Sequence, residues 1–157
     1  MCMKSVNISS VFYDDDLSEL GGRLQFGKVV NEVTTVEDFD GNNIVENLTI
    51  VSFASALSSD QDQQLVKKYE LLWQFGTVIN DVFTAKSIAK DIFDTEINKV
   101  EEIPEITCKS FTNQIFKFTL RNYKIEQPGN HYLKVYIREA GKNEKWQIQS
   151  MNTIFVK

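Results

Sequence analysis

The most constraining feature of this sequence is a strict alternation of apolar and polar side chains over residues 131–138. A β-strand points successive side chains to opposite faces, so the alternation predicts a strand with one buried face. A second alternating run covers residues 146–156 and follows a Gly-containing turn at 140–143. Two such runs in succession predict an antiparallel hairpin. Its expected buried positions are Leu133, Val135 and Ile137 in the first strand and Trp146, Ile148, Ile154 and Val156 in the second.

Several other segments share this period of two. Residues 111–120 alternate and precede a turn at 127–130, in which Pro128 fixes φ and Gly129 accepts a positive φ. Residues 24–30 and 44–57 also predict strands, and residues 6–12 alternate roughly. Residues 65–75 fit both a helix and a strand. The strand is favoured because aromatic side chains suit a pleated surface.

One segment predicts a helix. Over residues 84–100 apolar side chains recur at helical spacing, with Lys and Asp opposite them. The apolar stripe comprises Ala85, Ile88, Ala89, Ile92, Phe93, Ile97 and Val100. The expected fold is therefore mainly β, with α+β possible: an antiparallel β-sandwich with one or two helices, the main helix at about 84–100. Residues 1–157 are expected to form a single domain.

The charge balance narrows the possible partners. The chain has 22 acidic and 17 basic residues, a net charge of −5. Nucleic-acid binding depends on clustered Lys and Arg, so no nucleic acid is expected as a partner. The apolar stretches are too short to span a membrane, and residues 1–10 lack the apolar core of a secretory signal. We expect a cytoplasmic protein that binds no membrane.

Two motifs resemble ligand-binding sites, but each lacks residues that such a site requires. Residues 22–28 have the spacing of a phosphate-binding loop, but Val29 follows where that loop needs Ser or Thr for Mg²⁺, and residues 23–30 alternate like a strand. Residues 38–43 resemble a calcium loop, but the EF-hand positions for Gly and Glu hold Asn43 and Thr49. The first motif predicts a strand and the second an Asp-Gly turn. No cofactor and no metal is expected.

His131 is the only histidine. A His-dependent nucleophile would have to act through it, and Cys108 or Cys2 would be its partner in a small cysteine-dependent hydrolase. His131 also follows a turn directly and lies in phase with Leu133. An aromatic ring in that place is typical of a structural residue at a sandwich corner. The structural role is favoured, so no catalytic residue is assigned, and the hydrolase remains an alternative.

The C-terminal third also resembles a known group of proteins. Residues 116–137 include Phe-Lys-Phe-Thr-Leu, then Gln-Pro-Gly, then His-Tyr-Leu-Lys-Val-Tyr-Ile. This pattern is similar to the closing strands of uncharacterised bacterial and phage β-sandwich proteins, and an early strand ending at Gly27 is similar too. Here His131 stands where a corner Tyr is usual, Tyr132 is displaced by one position, and the predicted helix is an insertion. The resemblance implies a sandwich fold and carries no functional residue with it.

These observations favour a non-catalytic binding or accessory protein, encoded by a phage or mobile element, that acts through a protein partner. The candidate partner surface is the polar face of residues 131–138, which carries Tyr132, Lys134, Tyr136 and Arg138, because Tyr and Arg are enriched at interface hot spots. A second layer packed on that face is the structural alternative. A structural subunit of a homo-oligomer or particle is a third functional hypothesis beside the hydrolase.

Overall fold

The computed structural model describes residues 6–13, 18–20, 23–25, 29–56, 67–89, 92–94, 105–108, 112–139 and 144–157. Within these residues every regular element is a β-strand. The strands are β1 (Val6–Tyr13), β2 (Ser18–Leu20), β3 (Arg23–Gln25), β4 (Glu32–Val33), β5 (Val36–Glu37), β6 (Asn43–Ala56), β7 (Lys67–Ile79), β8 (Val82–Ala89), β9 (Ile92–Asp94), β10 (Glu105–Cys108), β11 (Thr112–Lys124), β12 (Gly129–Glu139) and β13 (Gln147–Val156).

Strand β6 is the centre of the smaller sheet. Antiparallel partners β1 and β11 flank it on its two edges, and β5 pairs with its first residues. The larger sheet has the order β4-β13-β12-β7-β8-β9, and β10 pairs with the start of β7. All of its pairs are antiparallel except β13 with β4. The fold is mainly β and sandwich-like, as the alternating runs predicted.

The predicted strands of the second half are confirmed. Strand β12 pairs with β13 in the expected hairpin, and β11 covers the run that precedes the Pro-Gly turn. The ambiguous segment 65–75 is a strand from Lys67 onward, and residues 65 and 66 lie outside the described residues.

The predicted helix at 84–100 is wrong over the described residues. Its first part is strand β8, its middle includes β9, and residues 95–100 lie outside the described residues. Asn80 and Asp81 have φ values of 49° and 62° and form the two-residue turn that joins β7 to β8. Positive φ at both positions gives a turn whose twist matches an antiparallel hairpin. Pairing with β7 therefore overrides a helical spacing that was only a weak local preference.

The predicted phase of β13 is also wrong in its first half. Val135 pairs with Ser150, but Tyr136 pairs with Ile148, so Gln149 is an extra residue in a β-bulge. Because of this extra residue, the side chains of β13 that precede Gln149 point to the face opposite to the one that regular alternation would give them. Ile154 and Val156 are fully buried as expected, whereas Ile148 is 56% exposed. Ile148 therefore lies on the outer face of the sheet.

The core fills the space between the two sheets. From the smaller sheet it receives alternate residues of β1, β6 and β11, and from the larger sheet alternate residues of β7, β12 and β13. The largest fully buried side chains of this core are Trp73, Phe75, Leu48, Ile50, Leu71, Leu120, Leu133 and Ile154. Leu72 and Val51 are also fully buried, but they lie on the opposite faces of β7 and β6. Leu133 and Val135 are fully buried, which confirms the predicted inner face of β12.

A buried polar chain crosses this core. The indole Nε1 of Trp73 donates to Ser52 Oγ at 2.9 Å, and Ser52 Oγ lies 2.7 Å from Ser10 Oγ. The same indole packs between Phe116 and Phe118, at centroid distances of 4.9 and 4.8 Å. Trp73 belongs to the larger sheet, and the other four residues belong to the smaller one. The Trp73 side chain on β7 thus contacts β6 and β11 of the facing sheet, and Ser52 links it to Ser10 on β1.

Side chains of β13 satisfy the free edge of β1. Gln149 Nε2 donates to the carbonyl of Val6, and Asn152 Nδ2 donates to the carbonyl of Ser10 at 3.0 Å. The backbone N–H of Val30 donates to the carbonyl of Phe12 at 2.9 Å. An edge strand with unpaired carbonyls is a template for aggregation. The bulged residue Gln149 therefore helps to close one side of the sandwich.

The buried hydrogen bonds that join Trp73, Ser52 and Ser10 predict unequal losses of stability for two similar substitutions. Ser52→Ala leaves the buried Trp73 N–H without an acceptor, so we expect a loss of about 1–3 kcal/mol in the free energy of unfolding. Ser10→Ala leaves the bond from Trp73 to Ser52 intact and should cost less, about 0.5–1.5 kcal/mol. Urea unfolding followed by tryptophan fluorescence measures both values. Equal losses, or a larger loss for Ser10→Ala, would show that the indole bond is not the important member of the chain.

Candidate functional site

The candidate partner surface lies on the outer face of the larger sheet. Tyr132, Lys134, Tyr136 and Arg138 alternate along β12 with the buried inner row, and all four are half-buried. Burial raises the pKa of Tyr136. Strand β12 has β7 on one side and β13 on the other, so these side chains lie in the middle of a continuous sheet. The structure brings the four predicted residues together on one face.

Arg138 is held by two contacts. Its Nε forms an ion pair with Oε2 of Glu70, the residue directly opposite on β7. Its guanidinium carbon also lies 4.2 Å from the ring centroid of Trp146. A guanidinium stacks well on an aromatic face while its fork binds a carboxylate. Arg138 therefore has a fixed position, and Glu70 balances its charge.

Lys134 has a different contact. Its Nζ lies 3.7 Å from the ring centroid of Phe83 on β8, so the side chain reaches across β7. This cation–π contact orients the ammonium group and leaves its charge without a carboxylate partner in the described residues. The net positive charge of the β12 row is therefore located at Lys134.

A second row on this face is mostly apolar, with Thr153 between Met151 and Phe155. Ile148 and Met151 are each 56% exposed and Phe155 is 43% exposed, all on β13 beside the β12 row. We call the two rows together the β12–β13 outer face: Tyr132, Lys134, Tyr136, Arg138, Ile148, Met151 and Phe155. Sequence reasoning missed the second row because it assumed one phase through β13. The sequence did indicate the second row, because apolar residues of this run occupy both odd and even positions: Met151 and Phe155 are out of phase with Ile154.

His131 lies at the sandwich corner, as its phase predicted. It is 2% exposed, on the inner face at the start of β12, and its ring centroid is 5.7 Å from that of Phe75. Its Nδ1 lies 3.2 Å from the carbonyl oxygen of Gly129. Gly129 itself has a φ of +120°. A carbonyl only accepts, so Nδ1 carries the proton of the neutral ring. Burial lowers the pKa of His131, and the bond to Gly129 opposes that shift only in part.

The register separates Cys108 from His131. Cys108 lies opposite Lys67 at one end of β7, whereas Tyr132, next to His131, lies opposite Gly76. Nine residue steps of about 3.3 Å place the two ends about 30 Å apart. A nucleophile and its base must be within hydrogen-bond reach. The geometry therefore does not support a pair of Cys108 with His131, and Cys2 lies outside the described residues.

The aspartate-rich loop is the turn that was predicted. Oδ1 of Asp38 accepts the backbone N–H groups of Asp40 and Asn42 at 2.9 and 2.8 Å, and these bonds lower the pKa of Asp38. Gly41 has a φ of +82°, which suits a glycine. The carboxylate of Asp38 is thus committed to the loop itself. At the tip Phe39 is fully exposed, a feature that the sequence did not indicate.

The segment that resembles a phosphate-binding loop begins as a strand. Arg23–Gln25 is β3, which pairs with β2 in an antiparallel hairpin, and Gly22 and residues 26–28 lie outside the described residues. Among the described residues, no group of three or more His, Cys, Asp and Glu side chains is placed to bind a metal ion. The same part of the chain contains no helix long and apolar enough to cross a membrane.

Comparison with known proteins adds no assignment. No protein-family model matches the chain, and no curated protein matches it significantly. The resemblance to bacterial and phage β-sandwich proteins therefore stays a prediction from the sequence.

The position of His131 predicts a pH dependence of stability. Its pKa is lower in the folded state than the ordinary value near 6.5, so the unfolded chain binds more protons below that pH. The contribution of the neutral His131 ring to the free energy of unfolding is complete above pH 6.5. It falls as the pH drops toward the pKa of His131 in the folded state. Because His131 is the only histidine, His131→Gln should remove this component. Urea midpoints between pH 5 and 8 measure it, and parallel pH profiles for the two proteins would contradict the assignment.

Proposed function

We propose that this protein is a non-catalytic binding protein that engages a protein partner through the β12–β13 outer face. The observation that carries the proposal is the exposure of three large apolar side chains, Ile148, Met151 and Phe155, in line beside the β12 row. Exposed large apolar side chains that are grouped on one face mark interaction sites more often than isolated ones do. A phage or mobile-element origin and a cytoplasmic location remain predictions from the sequence.

The composition of the face supports a protein partner. Tyr, Met and Arg are enriched in protein interfaces relative to the rest of the surface. Arg138 and Lys134 are already held by Glu70 and by aromatic rings, so binding would immobilise little further side-chain freedom. Such preorganisation lowers the entropic cost of association. The partner surface that fits is apolar at its centre, with a carboxylate placed to meet Lys134.

Two alternatives remain. A homo-oligomer or particle subunit could use the same face against a second copy, and the mass of the purified protein in solution distinguishes that case. The hydrolase now depends on Cys2 with His131, since Cys108 lies at the opposite end of β7. His131→Ala would abolish hydrolysis in that case and would leave partner binding on the outer face intact.

Met151→Glu tests the proposal directly. Met151 is exposed, so the substitution should leave folding intact while placing a carboxylate in the centre of the apolar row. We expect binding to the partner to weaken at least tenfold, about 1.4 kcal/mol. The Tyr136→Ala, Arg138→Ala double variant should weaken binding to a similar degree. Wild type and variants serve as baits in an extract of the native host, with captured proteins quantified by mass spectrometry.

Ile115→Glu is the matched control, because Ile115 is 48% exposed on β11 in the smaller sheet. The partner is the protein that wild type and Ile115→Glu capture and Met151→Glu does not. Equal capture by Met151→Glu in its folded form would exclude this face. A loss of folding in the double variant would show that Tyr136 and Arg138 are structural, and the Met151→Glu result would then decide alone.

A further inference from the structure

A cavity of about 510 Å³ lies at the end of the smaller sheet where β1 and β11 begin and β6 ends. Small-molecule sites in proteins have volumes of about 300–1,000 Å³. The residues that line this cavity are Asn7, Ile8, Ser9, Phe53, Ala54, Ser55, Gln114, Ile115 and Gln149. None of these residues carries a charge. An ionic ligand would therefore lose hydration here without gaining a counter-charge, so the lining favours a neutral ligand.

The strand register places five of the lining residues on one face. Asn7 lies opposite Ser55, and Ser9 lies opposite Phe53. Phe53 in turn lies opposite Ile115 on β11. The residues between them in β1 and β6 belong to the core, so these five side chains point away from it. They form two neighbouring rows on the outer face of the smaller sheet.

Phe53 and Ile115 supply the apolar part of the cavity. They are cross-strand partners, Phe53 is half-buried and Ile115 is exposed. Phe53 also packs against the buried cluster of Tyr13 and Val51, which holds its ring in place. An aromatic face beside an aliphatic side chain offers a surface on which C–H groups of a ligand can pack.

The polar part of the cavity consists of amides and hydroxyls, from Asn7, Ser9, Ser55, Gln114 and Gln149. Gln149 uses Nε2 to donate to the carbonyl of Val6, and its Oε1 stays an acceptor. The side chains of the other four form no hydrogen bond within the described part of the chain. Amides and hydroxyls can both donate and accept. They therefore match a ligand whose own groups do both, as sugar hydroxyls do.

We propose that this cavity binds a neutral sugar, a pyranose ring whose C–H face packs on Phe53 and Ile115 and whose hydroxyls bond to the surrounding amides and hydroxyls. A pyranose has an apolar face and a polar rim, as this lining has. A wholly apolar ligand would cover the polar side chains without bonding to them. The site lies on the smaller sheet and does not depend on the function proposed for the β12–β13 outer face.

The side-chain amide signals of Asn7 and Gln114 in a ¹H–¹⁵N spectrum report on binding, and the variants Asn7→Ala and Gln114→Ala assign them. The neutral probes are glucose, galactose and mannose, and the charged probes are the uronate and the 2-amino sugar of each. We expect at least one neutral sugar to shift both signals saturably. Its charged counterparts should bind about fivefold more weakly or worse, because the site holds no counter-charge.

Variants locate the site. Asn7→Ala and Gln114→Ala change exposed side chains, so both should fold normally and weaken the bound sugar about threefold, roughly the loss of one hydrogen bond. Ile115→Glu places a carboxylate beside the ring and should abolish sugar binding. Met151→Glu, on the larger sheet, is the matched control and should bind the sugar normally.

The two proposals fail separately. Ile115→Glu should lose the sugar and keep the captured protein partner, whereas Met151→Glu should lose the partner and keep the sugar. The sugar site is overturned if no neutral probe shifts the two amide signals up to about 100 mM. It is equally overturned if the charged counterparts bind as tightly as the neutral sugar, or if Asn7→Ala, Gln114→Ala and Ile115→Glu all bind like wild type.

Discussion

The structure depends on the contact between Trp73 and the facing sheet. Its indole is fully buried, packs against Phe116 and Phe118, and donates to Ser52, which in turn meets Ser10. Burying a large aromatic ring contributes several kcal/mol, and its N–H must find an acceptor in the core. The bond to Ser52 fixes the position of β7 along β6. In this way the central strand of one sheet is aligned with the central strand of the other.

The candidate surface and the position of His131 follow from that alignment. With the inner row of β12 committed to the core, its alternate residues form an outer row, and the bulge at Gln149 adds Ile148 to the same surface. The bulged residue also donates to the carbonyl of Val6, so one irregularity closes the edge of β1 and exposes an apolar side chain. At the start of β12, Gly129 has a positive φ, and its carbonyl oxygen accepts from the ring of His131.

Much of this could be predicted from the sequence, and the failures have physical reasons. Strict alternation defined β12 and its buried row, because only a half-buried strand needs that pattern. The helix predicted at 84–100 is wrong over its described residues because a turn at Asn80 and Asp81, together with pairing to β7, outweighs a helical spacing that is only a weak local preference. The phase of β13 failed because a bulge depends on the partner strand and has no fixed local signature. The β12 row of the candidate surface was predictable, whereas the exposed apolar residues of β13 required the register.

Hydrogen exchange of the two indole N–H groups tests the central claim most directly. The chain has two tryptophans, so its ¹H–¹⁵N spectrum contains two indole signals, and a Trp146→Phe variant assigns them. Trp73 is fully buried and bonded to Ser52, so its indole N–H should exchange only when the protein unfolds globally, with a free energy equal to that from urea unfolding. The indole of half-buried Trp146 should exchange much faster. Rapid exchange of the Trp73 indole in a stably folded protein would contradict the account.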